Sequence, residues 1–163
     1  MTTTNDAKAK TARNHTIGFG IAASFLFAIG CAHGSGSGSG VGSVAATDAK
    51  SQAVHGATLY ADHCGSCHGD SGQGTPGGAP PVAGKDALPL DPPASAKYRN
   101  ATFHTARDVY DFVKANMPAK APGTLSQEQY LAIIAFDLSA NGVDLSGKPP
   151  FTPESLSAVV LHP

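Results

Sequence analysis

Between Asp70 and Pro93 the chain carries five glycines and six prolines. Proline at that density fixes φ and removes backbone donors, and glycine weakens helix and strand alike, so no regular element can run through the stretch. A segment of that length without helix or strand is unusual inside a compact domain unless it wraps something other than side chains. Directly before it stands Cys64-Gly65-Ser66-Cys67-His68. The rest of the chain has few large apolar groups to offer, with no Trp and aromatic residues at 7%. A modest domain so equipped needs something else to fill its centre. Loop, motif and composition together point to a large, rigid ligand.

Around this loop the pattern is helical, and no strand pattern or internal repeat is present. A first helix is predicted over Ser51–Cys64, with Ala53, Ala57, Tyr60 and Cys64 on one face. A second is predicted over Ala106–Asn116, opened by Thr105 and Asp108 as a capping box and carrying the stripe Val109, Phe112 and Val113. A third is predicted over Gln127–Ala140, with Ser126 and Gln129 as its box and Asn141-Gly142 as its stop. Its apolar residues wrap most of the circumference, as in a helix buried on more than one side. The expected architecture is all-α, three to four helices around one ligand with long Gly/Pro-rich loops, in a domain spanning 51–142.

Cys-x-x-Cys-His is the attachment signature of c-type haem. Two sulfurs three positions apart near a helix end can each add to a vinyl group of one porphyrin. The following imidazole, His68, is then directed beneath the ring toward iron. Three other readings compete. Zinc needs four ligands, and no second Cys-x-x-Cys stands in the chain. A thioredoxin-like pair needs a βαβ context. A Cys64–Cys67 disulfide leaves His68 unexplained. Covalent haem c, with Cys64, Cys67 and His68 as its residues, is the expectation.

For the opposite face of the iron, Met117 is the one methionine besides Met1. Pro118 pushes it out of helical geometry, just past the second helix, where a side chain can project inward. A gap-filling core role is the alternative for Met117, and His55, His63, His104 and His162 are rival ligands, His104 foremost because it sits in a loop beside Phe103. His/Met ligation raises the reduction potential and leaves no vacant position for substrate.

The net charge of −1 offers no basic field for nucleic acid and no acidic interaction tail. Residues 1–31 read as an export signal: Lys8, Lys10 and Arg13 precede the apolar run Ile17–Gly30, too short to span a bilayer comfortably. The run ends in Ala28-Ile29-Gly30-Cys31, which resembles a bacterial lipobox and implies lipidation at Cys31, although Leu usually stands where Ala28 does. Val44-Ala45-Ala46 is an alternative cleavage site. Residues 32–50, with Gly34-Ser-Gly-Ser-Gly-Ser-Gly40, form a flexible linker of about 25 Å mean reach and about 65 Å at full extension. The expectation is a domain outside the cytoplasm, tethered to a membrane by lipid; Ala32 instead of Asp after the lipidated Cys favours the outer membrane.

From Gly56 to Gly142 the chain resembles class I, mono-haem cytochromes c. The matching features are Gly56-x3-Tyr60, Cys64–Gly69, Ala79-Pro-Pro-Val-Ala-Gly84, Asn116-Met117-Pro118, and the run Leu125–Phe136 followed by Asn141-Gly142. The resemblance implies that Gly56 and Tyr60 cross the last helix near Ile133 and Phe136. It implies that the carbonyl of Pro80, or of Pro81, accepts a hydrogen bond from His68. Tyr98 and Tyr110 are possible propionate partners, or ordinary packed tyrosines. Two departures stand out: the stretch Lys85–His104 is longer than in the smallest members, and the extension 143–163 lies beyond the family core, to pack on the domain or dock on a partner. The implied function is single-electron transfer between redox partner proteins. Lys114 and Lys120 flank Met117 as candidate guides for an acidic partner, with two solvated lysines as the favoured reading. A haem enzyme or gas sensor, peroxidase-like and with an open or displaceable iron position, is the alternative, and a non-haem metal module the third reading.

Overall fold

The computed structural model describes residues 45–94 and 96–162. The signal 1–31 with Cys31, and most of the linker, lie outside them. Four α-helices follow in order: α1 (Ala49–His63), α2 (Gly65–His68), α3 (Ala106–Asn116) and α4 (Gln127–Ala140), then a 3-10 turn at Ser155–Ala158. The described residues contain no strand ladder, only an isolated bridge between Thr105 and Val160. The chain is all-α, as its sequence implies.

The bounds of α3 and α4 are those the sequence predicts, and local chemistry sets them. Ser126 N–H donates to Gln129 Oε1 at 2.8 Å and Gln129 N–H returns to Ser126 Oγ at 3.3 Å. Thr105 N–H and its hydroxyl both donate to Asp108 Oδ2, at 2.7 and 3.0 Å. Gly142, at φ 84°, stops α4 in a backbone conformation that favours glycine. The first helix differs from expectation. It begins at Ala49, inside the stretch read as linker, because Asp48 and Ser51 form their own reciprocal box: Ser51 N–H to Asp48 Oδ1 at 2.7 Å, Asp48 N–H to Ser51 Oγ at 3.2 Å. Its buried stripe is Ala49, Gln52, Ala53, Gly56, Leu59 and Tyr60, while Ala57 and Cys64 are half-buried.

α1 and α4 cross in close contact at Gly56. A Cβ there would overlap the carbonyl of Ala132, so only glycine lets the two backbones approach this far. Beside the crossing the Tyr60 and Phe136 rings pack with centroids 4.9 Å apart. α4 is buried nearly all round, from Tyr130 through Ala135 and again at Asp137 and Leu138.

Residues 143–162 are part of this folded unit, so the boundary expected at 142 cuts through it. Leu145, Phe151 and Leu156 belong to the same core cluster as Ala53, Tyr110 and Ile134. The Gln52 amide pairs with the Phe151 backbone in both directions, at 3.1 and 2.7 Å, which gives each polar atom of this buried side chain a partner. Farther along, Leu161 N–H donates to the His104 carbonyl at 2.9 Å, and His162 Nε2 lies 2.8 Å from the Leu88 carbonyl. The extension thus runs back over α3 and fastens the long segment before it. That segment is also braced from within: the Arg99 guanidinium donates to the carbonyls of Pro89, Leu90 and Ala101 and stacks on the Phe103 ring.

Candidate functional site

The motif begins where α1 ends. Cys64 N–H closes the last turn of α1 on Tyr60 O at 2.8 Å. A new single turn, α2, follows at once and is stopped by Gly69 at φ 81°. Cys64 caps that turn and Cys67 lies in it, three residues on, the spacing that brings side chains to one side of a helix. The two thiols are not joined to each other; Cys64 is half-buried and Cys67 exposed. Burial, with the nearby Asp137 and Cys67, pushes the Cys64 thiol up to about 12. A thiol so disposed is a poor redox nucleophile, since such sites lower the pKa. The described residues hold no group of three or more His, Cys, Asp and Glu side chains suited to a metal, so the zinc reading lacks its third and fourth ligands there.

The loop after α2 folds back on the motif. Gly74 N–H donates to His68 O at 2.7 Å, Thr75 Oγ1 to Cys67 O at 2.8 Å, and Val82 N–H to Gly72 O at 2.8 Å. The fold-back brings the Pro80 carbonyl 2.8 Å from His68 Nδ1; of the two adjacent prolines it is Pro80 that occupies this position. A carbonyl only accepts, so Nδ1 carries the proton, and Nε2 of the neutral ring is left as a lone-pair donor for a metal.

Met117 caps α3 with extended backbone, φ −123° and ψ 152°, as Pro118 demands. It is half-buried, and its carbonyl accepts the Tyr130 hydroxyl at 2.7 Å, which ties it to the first turn of α4. The loop it opens ends at Leu125, which packs on the cluster of Leu59, Tyr60, Ala132 and Ile133 together with Cys64, Val82 and Phe136. The rival histidines lie elsewhere. His55 and His63 are exposed on α1, His104 is exposed, and the His162 ring is engaged with Leu88. His104 stands before the start of α3 and Met117 after its end, so a helix of about 16 Å separates them. Of the two tyrosines, Tyr98 is exposed, whereas Tyr110 is buried with no hydrogen-bond partner for its hydroxyl among the described residues.

These residues fit a covalent haem. Two unpaired thiols share one turn, an imidazole is oriented by a backbone carbonyl with its other nitrogen free, and Val82, Leu125 and Phe136 are apolar groups only partly covered beside them. The structure brings together Cys64, Cys67, His68 and Pro80; Met117 lies at the end of α3, tied by its carbonyl to Tyr130; Cys31 lies outside the described residues. One residue escaped the sequence reading. Asp137, on α4, is buried with Oδ1 unpartnered among the described residues, and burial raises its pKa to about 8. The signal was available: in a helix that is apolar all round, a lone carboxylate in the last turns cannot avoid the interior.

A helical fold whose one-turn motif offers two thiols and an imidazole beneath a proline-rich loop defines a c-type cytochrome with covalently bound haem c. Residues 51–136 match the family described as cytochrome c oxidase, cbb3-type, subunit III, and the chain belongs to that family. The thiosulfate dehydrogenase of Stutzerimonas stutzeri (strain A1501) is 32% identical over 85 residues, which are 50% of this chain and 25% of that protein. The crystal structure of the sulfane dehydrogenase SoxCD from Paracoccus pantotrophus contains a similar chain, with a TM-score of 0.51 and 32% identity over 71% of this chain and 59% of that one. The chain therefore spans a quarter of the curated relative and under two thirds of the solved one. Its role is electron transfer.

Proposed function

We propose that this chain is a single-electron carrier, or the electron-transfer subunit of an oxidoreductase, working outside the cytoplasm. In this reading Cys64 and Cys67 would hold the haem covalently, and His68 and Met117 would be the side chains offered to its iron. The observation that carries it is the His68 Nδ1 contact with Pro80 at 2.8 Å, beside two thiols left unpaired. Bound haem supplies a one-electron couple. The residues of the chain do the rest. The two cysteines fix the group against loss, and the Pro80 carbonyl holds the His68 ring in one tautomer and raises its basicity. Met117 would supply the second iron ligand, and the partly covered apolar side chains Val82, Leu125 and Phe136 would keep water from the group. With both positions taken, the chain transforms no substrate itself.

The names of the two relatives refer to oxidation of sulfur compounds. For a chain that spans only part of each, the corresponding role is to accept electrons from such an oxidation through a partner protein and pass them on. Cys31 carries the lipid, and the Gly/Ser-rich linker lets the domain turn between donor and acceptor at a membrane surface, the outer membrane being favoured.

Replacing Met117 by Ala in the matured protein abolishes the weak far-red absorption that accompanies sulfur on ferric haem; an unchanged spectrum refutes the ligand assignment. The wild-type reduced protein resists carbon monoxide. Rapid binding instead identifies a haem enzyme or gas sensor with an accessible iron. A Cys31→Ser variant leaves the membrane fraction for the soluble one, and retention there defeats the lipid tether.

A further inference from the structure

Asp137 is 5% exposed, near the end of a helix whose neighbouring residues are apolar. Its Oδ1 has no hydrogen-bond partner among the described residues. The groups able to relieve it are committed elsewhere. Tyr60 Oη donates to Gly69 O at 3.0 Å, and the Asn141 amide donates to the backbone carbonyls of Asp137 and Val82, each at 2.8 Å. An apolar side chain would pack here without the cost of a buried, unpaired carboxyl. The titratable groups that face it are Tyr60 and Cys64 at the end of α1, with Asp70 beyond Tyr60. From α3, from the extension and from the Val82–Gly84 stretch no charged side chain acts on it among the described residues; its perturbation is burial alone.

We propose that Asp137 is a proton-binding site coupled to electron transfer, taking up a proton when the protein is reduced and releasing it on oxidation. The inference rests on the reading of Cys64 as a haem-attachment residue, because Cys64 packs on the cluster of Tyr60 and Ile133, and Ile133 stands one turn before Asp137 on α4. Oxidation adds one positive charge beside a carboxyl held in a medium of low dielectric, which favours the carboxylate. Reduction removes that charge and favours the acid. The step balances: one electron enters from a redox partner protein, one proton from solvent bonds to a carboxylate oxygen of Asp137, and the charge of the interior is unchanged. Burial already holds the pKa near 8, so the coupling acts within the range a cell experiences. The protein then passes a proton with its electron, and its driving force follows the pH on its side of the membrane.

The test is potentiometric titration of the haem-loaded protein across pH, for wild type and Asp137→Asn. In wild type the reduction potential falls as pH rises through neutral and mildly alkaline values; in Asp137→Asn that fall is lost. A flat wild-type potential overturns the proposal, and so does an unaltered slope in the variant, which would trace the proton to a propionate instead. If the variant does not fold, the reduced-minus-oxidised infrared spectrum of the wild type decides. A carbonyl band of protonated carboxylic acid in the reduced form, shifted by deuterium oxide, supports it, and absence of the band refutes it. Colourless protein after haem maturation would instead defeat the attachment reading.

Discussion

Residues 70–102 and residues 127–138 are buried in opposite ways. Among the described residues of the first stretch only Gly72 is buried, and Val82, Leu88 and Leu90 are half-covered. In the second, Tyr130 through Ala135 are all buried, Tyr130 and Ala135 completely. The helical half closes on itself, with Leu156 and Phe151 of the extension completing it. The loop half leaves apolar surface waiting for a group that the chain does not supply as side chains. Each Å² of apolar surface that haem would cover contributes about 25 cal/mol.

The strongest test of this contrast removes attachment altogether. Cys64→Ala with Cys67→Ala loses all covalent haem, read by haem staining of the denatured chain. Amide exchange in that variant speeds up most over 70–104 and least in α1, α4 and residues 143–162. Uniform acceleration would mean that the two halves are not separable. Next in size is Gly56→Ala. Its Cβ meets the Ala132 carbonyl, and the resulting separation of α1 from α4 costs about 3 kcal/mol in denaturant unfolding; a cost near zero would show that the crossing can relax. Leu156→Ala empties a fully buried site of the extension and costs a similar or somewhat smaller amount, about 2–3 kcal/mol, if the extension belongs to the closed half. A value under about 0.5 kcal/mol, typical of surface positions, makes it an appendage.

The smallest effect is on pH dependence. Asp137 has its folded pKa raised from 3.8 to about 8, so between those values the folded chain binds the extra proton and the unfolded chain does not. Stability is therefore fully present below pH 4 as far as this group is concerned, and declines as pH climbs toward 8. Asp137→Asn removes that decline, so the variant gains stability relative to wild type as pH rises from 4 to 8. Parallel stability profiles would show that the carboxyl finds solvent.

What could be read from sequence was what neighbours in sequence decide. The boxes at Ser126/Gln129 and Thr105/Asp108 fix α4 and α3 through groups three residues apart, and both helices have their expected bounds. The box at Asp48/Ser51 is equally local, but it uses Ser instead of Glu or Gln and stands at the end of a Gly/Ser-rich tract, so the start of α1 was missed. The motif was legible because its chemistry is compressed into five residues. The partner of His68 was narrowed only to two prolines, because which carbonyl arrives depends on how the loop folds over Gly72 and Gly74. The clasp of Gln52 on Phe151 had no local signature at all, since its halves are 99 residues apart.

That separation bears on the order of assembly. Closing a long loop is paid for in entropy before any contact repays it, and contacts between distant residues form after local helices do. While the chain emerges, the cysteine turn is made before the residues that will bury one side of it have arrived. The attachment chemistry can therefore meet an open substrate, and docking of α4 with the final twenty residues acts afterwards as the latch.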